Sequence, residues 1–189
     1  KMGCKFFNMG ADEYANDTGV GFYELWNFGQ NGKMGEFITY VNQVVALIKN
    51  AGMKPMAFND GVYYHSSDAY GVIDKDVIVC YWSQGWSDYD LATASFLNEK
   101  GYKLVNTNGA YYWILGGKKC GASDAEEFGY NGFATKSAGI ADQVTGTLGS
   151  MFCIWADSPG ALSDDEVVSG VKATADAFAN ACPQVGDVT

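Results

Sequence analysis

Five short apolar runs, each ending in polar or aromatic residues, constrain this chain more than any other feature of its sequence. They occupy positions 4–10, 54–60, 77–82, 103–108 and 150–157. Helical patterns lie between them. Over 34–50, Phe37, Ile38, Val41, Val44, Val45 and Ile48 recur at the spacing of one helix face, and Gly52 follows as a stop. Over 90–100, Leu91, Ala94 and Leu97 do the same, with Gly101 as the stop. Ser163-Asp164-Asp165-Glu166 reads as a capping box, with its acids where the helix dipole favours them. The helix after it is expected to bury Val167, Val168, Val171, Ala175 and Phe178. The Gly-rich stretch 109–149 offers only a short helix near 124–128. Strands alternating with helices predict parallel βα units, and runs that are apolar on both faces predict cover on both sides. The fold class is therefore α/β: an open doubly wound sheet, or part of a (β/α)8 TIM barrel.

Charge and composition narrow the functions such a fold carries here. All 12 cationic residues are Lys, against 22 acidic residues, for a formal charge of -10. An acidic surface repels phosphate, which argues against a nucleic-acid partner. No run of apolar residues approaches the roughly 18 needed to span a bilayer, so membrane insertion is not expected. The single His and the absence of any Cys-x-x-Cys pair give a zinc site no support, and no metal or other cofactor is expected. Gly19-Val20-Gly21 stands in a long loop rather than between a strand and a helix, so it does not read as a dinucleotide fingerprint.

In both candidate architectures function sits where strands end, at their C-terminal side. The five runs deliver there Asp12 and Glu13; then Asn59, Asp60, Tyr63 and Tyr64; then Trp82 and Trp86; then Asn106, Asn108, Tyr111, Tyr112 and Trp113; and last Trp155 and Asp157. Aromatic faces stack on the C–H faces of sugars and carboxylates accept sugar hydroxyls, so this set points to a carbohydrate pocket. Each member has a plainer reading as well. A Trp at a strand end can be packing, Asp157 can cap the next helix, Asp60 can bond within its own loop, and His65 reads as a loop residue. Asp12-Glu13 stands out by position, directly after a buried run and a Gly.

Ordinary retaining glycosidases need two carboxyl groups about 5 Å apart, commonly from two different strands, and inverting ones need a wider gap. Only the first run supplies an acid pair, and the fourth ends in Asn. What remains is substrate assistance, in which the sugar's own 2-acetamido oxygen attacks the anomeric carbon. That chemistry needs one general acid and one neighbouring carboxylate to orient the acetamido group.

Phe6-Phe7-Asn8-Met9-Gly10-Ala11-Asp12-Glu13-Tyr14-Ala15-Asn16-Asp17 resembles the catalytic signature of the family-20 glycoside hydrolases, nearest to the surface-anchored bacterial exo-β-N-acetylglucosaminidases and lacto-N-biosidases. Lys54-Pro55-Met56-Ala57-Phe58-Asn59-Asp60-Gly61, Asn106-Thr107-Asn108 and Trp155-Ala156-Asp157 are similar to further motifs of that family, in the same order. Asn8 stands where the family often has His, and Phe58 where it often has Trp. The resemblance implies a (β/α)8 barrel in which Asp12-Glu13 follow strand four. Glu13 is then the general acid and later the general base. A raised pKa would keep it protonated beforehand. Asp12 holds the acetamido N–H, and Tyr111 or Tyr112 bonds the acetamido oxygen. Trp82, Trp86 and Trp155 wall the pocket, and Asp60 and Asp157 take sugar hydroxyls. The implied partners are β-linked N-acetylhexosamine glycans. The implied reaction is release of GlcNAc or of a GlcNAc-containing disaccharide such as lacto-N-biose, in an extracellular or cell-surface bacterial setting. The alternative is a carbohydrate-binding module of the same fold without catalysis.

Two structural expectations follow. Cys4, Cys80 and Cys153 lie in apolar runs and are expected to be buried and unpaired, on the same strand faces as Phe6 and Asn8, Trp82, and Trp155 respectively. Cys120 and Cys182 lie in polar segments where a disulfide is open to them. A whole barrel needs about 250 residues and eight strands, whereas five runs are legible here. Residues 1–189 are therefore expected to be a partial catalytic barrel, strands four to eight, whose partner is the missing N-terminal barrel segment with strands one to three.

Overall fold

The computed structural model describes residues 3–12, 14, 33–82, 91–107, 147–149, 151, 163–165, 168, 169, 172 and 176. The chain divides into two compact units, Lys1–Leu104 and Val105–Thr189. The first unit is built from β1 (Phe6–Asn8), α1 (Lys33–Asn50), β2 (Lys54–Phe58), β3 (Ile78–Tyr81) and α2 (Ala94–Glu99), with two short 3-10 turns, Tyr64–Ser66 and Asp68–Tyr70, between β2 and β3. Strand β4 (Lys103–Asn106) carries the chain out of it. The strands form one sheet in the order β1-β2-β3-β4. The first two pairings are parallel, with Asn8 opposite Met56 and Phe58 opposite Cys80. The α/β reading with parallel strands thus holds, and each strand falls within one of the apolar runs.

Helix α1 forms where the apolar spacing demands it. Met34, Ile38, Val41, Val45 and Ile48 recur every three or four residues and are all buried, and the helix packs on β2. Burying such a side chain stabilises the fold by about 1.5–3 kcal/mol. Both helices end in the same hydrogen-bonded motif. After α1, Gly52 donates to the Lys49 carbonyl and Met53 to that of Ile48; after α2, Gly101 donates to Asn98 and Tyr102 to Leu97. The glycines take φ of +78° and +92°, the left-handed conformation that this motif requires and that a side chain resists. Each helix is thereby turned straight into a strand that opens on Lys. Helix α2 is shorter than the pattern over 90–100 suggests, because the Thr93 hydroxyl caps it by accepting the Phe96 N–H.

The loop entering β3 is tied to the end of α1. Lys49 pairs with Asp74 at 3.1 Å and also with Asp76, and the two carboxylates, Asp76 first, raise its pKa. Phe96 and Tyr102 each meet the Tyr63 ring edge to face, and Lys75 lies over the Tyr63 and Tyr102 rings while donating to the Tyr63 hydroxyl.

Two expectations about burial are corrected here. Cys80 is buried, but Cys4 is exposed. Among the described residues β1 is an edge strand, and Phe7 beside it is 47% exposed, so an apolar run at that edge does not imply cover. In the second unit Asp164, Asp165, Val168, Ser169, Lys172 and Asp176 are helical, in the place the capping box foretold. Val168, however, is exposed. It lies four and eight residues from Lys172 and Asp176, which pair with each other, and so falls on their polar stripe. In the same unit the Asn106 N–H donates to the Gly149 carbonyl and the Met151 N–H to that of Asn106, the alternation of parallel pairing. It brings the start of the fifth apolar run alongside β4. Cys120, Cys153, Cys182 and the short helix near 124–128 lie outside the described residues. Within those residues, no helix is long and apolar enough to cross a membrane.

Candidate active site

The C-terminal ends of β1, β2 and β3 each deliver one of the residues singled out from the sequence. Asp12 follows β1 through a tight turn. The Met9 N–H donates to the Met56 carbonyl and the Phe58 N–H to that of Gly10, so β2 holds the backbone as far as Gly10. The Gly10 N–H donates to Asn8 Oδ1 at 2.9 Å, a side chain standing in for a backbone turn acceptor. Gly10 and Ala11 then take φ of +73° and +64°. Glycine does so freely, whereas an alanine does so at a cost. A Cβ at position 10 would also stand 3.4 Å from Asp12 Oδ1. Strain of this kind persists where the surroundings impose it and gathers at functional sites. Asp12 itself is half-buried.

The end of β2 supplies Asn59 and Asp60, both buried, and they hold the residue that ends β3. The Trp82 backbone N–H donates to Asn59 Oδ1 and its indole Nε1–H to Asp60 Oδ1, each at 2.9 Å. A buried indole N–H needs such a partner, and with both ends of the residue bonded the ring plane is fixed. Trp82 is half-buried. Gly61 follows in a close fit, since a Cβ there would come within 2.8 Å of the Phe37 ring.

One link reaches across the sheet. Asn8 Nδ2 donates to Cys80 Sγ at 3.6 Å. The strand pairing puts Asn8, Met56, Phe58 and Cys80 on one face, as alternation requires. In the second unit Asn106 and Thr107 are buried at the end of β4, and among the described residues the Thr107 hydroxyl has no hydrogen-bond partner.

Of the residues anticipated from the sequence, the first unit thus positions Asp12, Asp60 and Trp82 at adjacent strand ends, and joins the last two directly. Glu13, Trp86, Tyr111, Tyr112, Trp155 and Asp157 lie outside the described residues. Asn59 was anticipated only as a residue at the strand end, not as a holder of Trp82, and Asn8 and the left-handed Ala11 were not anticipated as parts of the site. The Asn residues carried a signal, since each is a polar residue at the closing edge of an apolar run. Ala11 carried none, because alanine does not advertise positive φ.

No family model matches the chain. Among solved structures it is similar to the tandem family-20 glycoside hydrolase catalytic modules of the pneumococcal exo-β-D-N-acetylglucosaminidase StrH, at 38% identity and a TM-score of 0.73, over 94% of this chain and 44% of that one. A second structure of StrH, described as a pneumococcal virulence factor in work on N-glycan recognition and hydrolysis, matches at 37% identity and a TM-score of 0.75, over 94% of this chain and 45% of that one. The β-N-acetylhexosaminidase of Bacteroides fragilis, at 13% identity and a TM-score of 0.63 over 98% of this chain and 37% of its own, shares the fold. The chain spans less than half the length of each of these structures. With more than a third of its residues identical to StrH over nearly its whole length, the chain belongs to the family-20 glycoside hydrolases.

Proposed function

We propose that this chain supplies the acid pair and much of the sugar pocket of an exo-acting glycosidase that removes β-linked GlcNAc, or a GlcNAc-containing disaccharide such as lacto-N-biose, from glycans outside the bacterial cell. The observation that carries this reading is the strained turn that presents Asp12 at the end of β1, in a chain 38% identical to an exo-β-D-N-acetylglucosaminidase. Asp12 accepts the acetamido N–H of the bound sugar and turns the acetamido oxygen toward the anomeric carbon. That oxygen attacks as Glu13 protonates the departing glycosidic oxygen, giving an oxazolinium intermediate. Glu13 then takes a proton from the water that opens it, so the anomeric configuration is retained. Tyr111 or Tyr112 bonds the acetamido oxygen. Trp82, Trp86 and Trp155 wall the sugar, and Asp157 takes an outer hydroxyl. Asp60 acts through Trp82, holding the ring by its indole N–H.

The barrel belongs to the same proposal. Parallel strands in sequential order support it, and so does the Asn8–Cys80 contact, which passes over β2 and is favoured by a sheet that curls toward that face. Residues 1–189 would form strands four to eight, completed by strands one to three from a preceding segment.

Chromogenic β-GlcNAc and β-lacto-N-biosyl glycosides, assayed with the full-length protein, test the reading and separate mono- from disaccharide release. Turnover of neither, with glycan binding retained, makes the chain part of a binding module. Glu13→Gln is expected to lower kcat about 10²–10⁴-fold on unactivated leaving groups and less on activated aryl ones. Asp12→Asn is expected to impair both alike, since acetamido participation serves each. Near-normal rates in Asp12→Asn would remove the mechanism.

A further inference from the structure

We infer that Asn8 is a positioning residue for the acid pair, acting through the Gly10–Ala11 turn; this rests on the role of Asp12 and Glu13 given above. Asn8 closes β1, and the two ends of its amide engage different partners. Oδ1 accepts the Gly10 N–H, and Nδ2 donates to Cys80 Sγ on β3. The first contact decides how the amide is turned, because an N–H must meet the oxygen, and the NH2 end is then left facing the thiol. Cys80 is wholly buried and therefore a fixed point, whereas Asn8 is exposed and has little packing to hold it.

Both polar groups of Gly10 are thereby engaged, its carbonyl by the Phe58 N–H of β2 and its N–H by Asn8. Ala11 follows in the left-handed region, from which it is released if the turn loosens. Removing the Asn8 oxygen frees the Gly10 N–H, lets Ala11 relax toward extended backbone, and carries Asp12 away from its working place. Asn8→Ser shortens the side chain much as Asn8→Ala does but keeps an oxygen, so a rate recovered in Asn8→Ser separates a loss of positioning from a loss of fold.

The test compares wild type with Asn8→Ala, Asn8→Ser and Cys80→Ala in the full-length protein, on an activated aryl β-GlcNAc glycoside and on an unactivated GlcNAc disaccharide. Asn8→Ala is expected to lower kcat by about 10- to 100-fold while KM stays within a factor of about three. Asn8→Ser, which still offers an oxygen to the N–H two residues on, recovers part of the loss. Cys80→Ala, which removes only the support of the amide, loses less than Asn8→Ala. Exchange of the Gly10 amide proton in Asn8→Ala quickens by about tenfold, as expected for one hydrogen bond lost. A wild-type kcat in Asn8→Ala, or a loss confined to KM, overturns the inference. If the wild-type protein turns over neither substrate, the glycosidase reading fails by itself, and the Gly10 exchange rate then decides for Asn8: an unchanged rate overturns it.

Discussion

The turn after β1 and the turn after β2 leave the same end of adjacent parallel strands, and they are built on different principles. The first is exposed or half-buried, runs through two consecutive left-handed residues, and relies on one exposed side chain for the Gly10 N–H. The second also carries a left-handed residue, Tyr63 at φ of +55°, but it is buried from Asn59 to Tyr64 and spends its polar side chains on the next strand, where Asn59 and Asp60 fix Trp82. The first turn brings Asp12 to the strand end through strained backbone. The second is held by burial and fixes Trp82. In the function proposed above, the first would serve a reacting group and the second a sugar-stacking surface, which call for different support.

Replacing Asn59 tests the buried turn most severely. Asn59→Ala takes away the acceptor of the Trp82 N–H within the fold, and an unsatisfied buried donor costs about 1–3 kcal/mol. Denaturant melts should show that loss, together with altered Trp fluorescence; a melt like that of wild type would mean that the two turns do not differ in this way. A smaller effect of opposite sign is expected at the strained turn. Glycine adopts the φ of +64° found at Ala11 without a Cβ penalty, so Ala11→Gly should stabilise by about 0.5–1 kcal/mol. Turnover should fall at the same time, because the acid pair gains freedom. A stabilised variant with unchanged kcat would show that the strain is incidental to placing Asp12.

The sheet was legible in the sequence because its strands announce themselves as short apolar runs, most fully β3, which is buried throughout. Helix α1 was legible because its buried stripe keeps strict spacing, and both helix ends because Gly52 and Gly101 are needed there. What escaped depends on the third dimension. Cys4 has an apolar neighbourhood in sequence but an edge position in space. Val168 looks like core until Lys172 and Asp176 mark its stripe as solvent-facing. The bond from Asp60 to the Trp82 indole joins residues whose meeting depends on the register of β2 and β3, which no local pattern encodes. Asp12 could be placed after β1 because a strand must end in a turn, but the geometry of that turn rests on Ala11, whose side chain says nothing about its backbone.

Tyr102 gives the first unit an alkaline limit. Its hydroxyl donates to the Ile73 carbonyl at 2.6 Å in the interior. Burial above all, and then the nearby Tyr63, Asp74 and Asp68, raises its pKa well above the ordinary 10.0. A phenol that ionises less readily in the folded than in the unfolded chain contributes stability in full below about pH 10. That contribution drains away as the pH climbs toward the folded-state value. Ionisation of this one phenol is thereby linked to unfolding, and the unit loses stability as alkali is added. Denaturant melts as a function of pH should show stability falling above about pH 10 in wild type and falling less steeply in Tyr102→Phe, which has no such proton to lose; parallel curves would mean that Tyr102 sets no such limit.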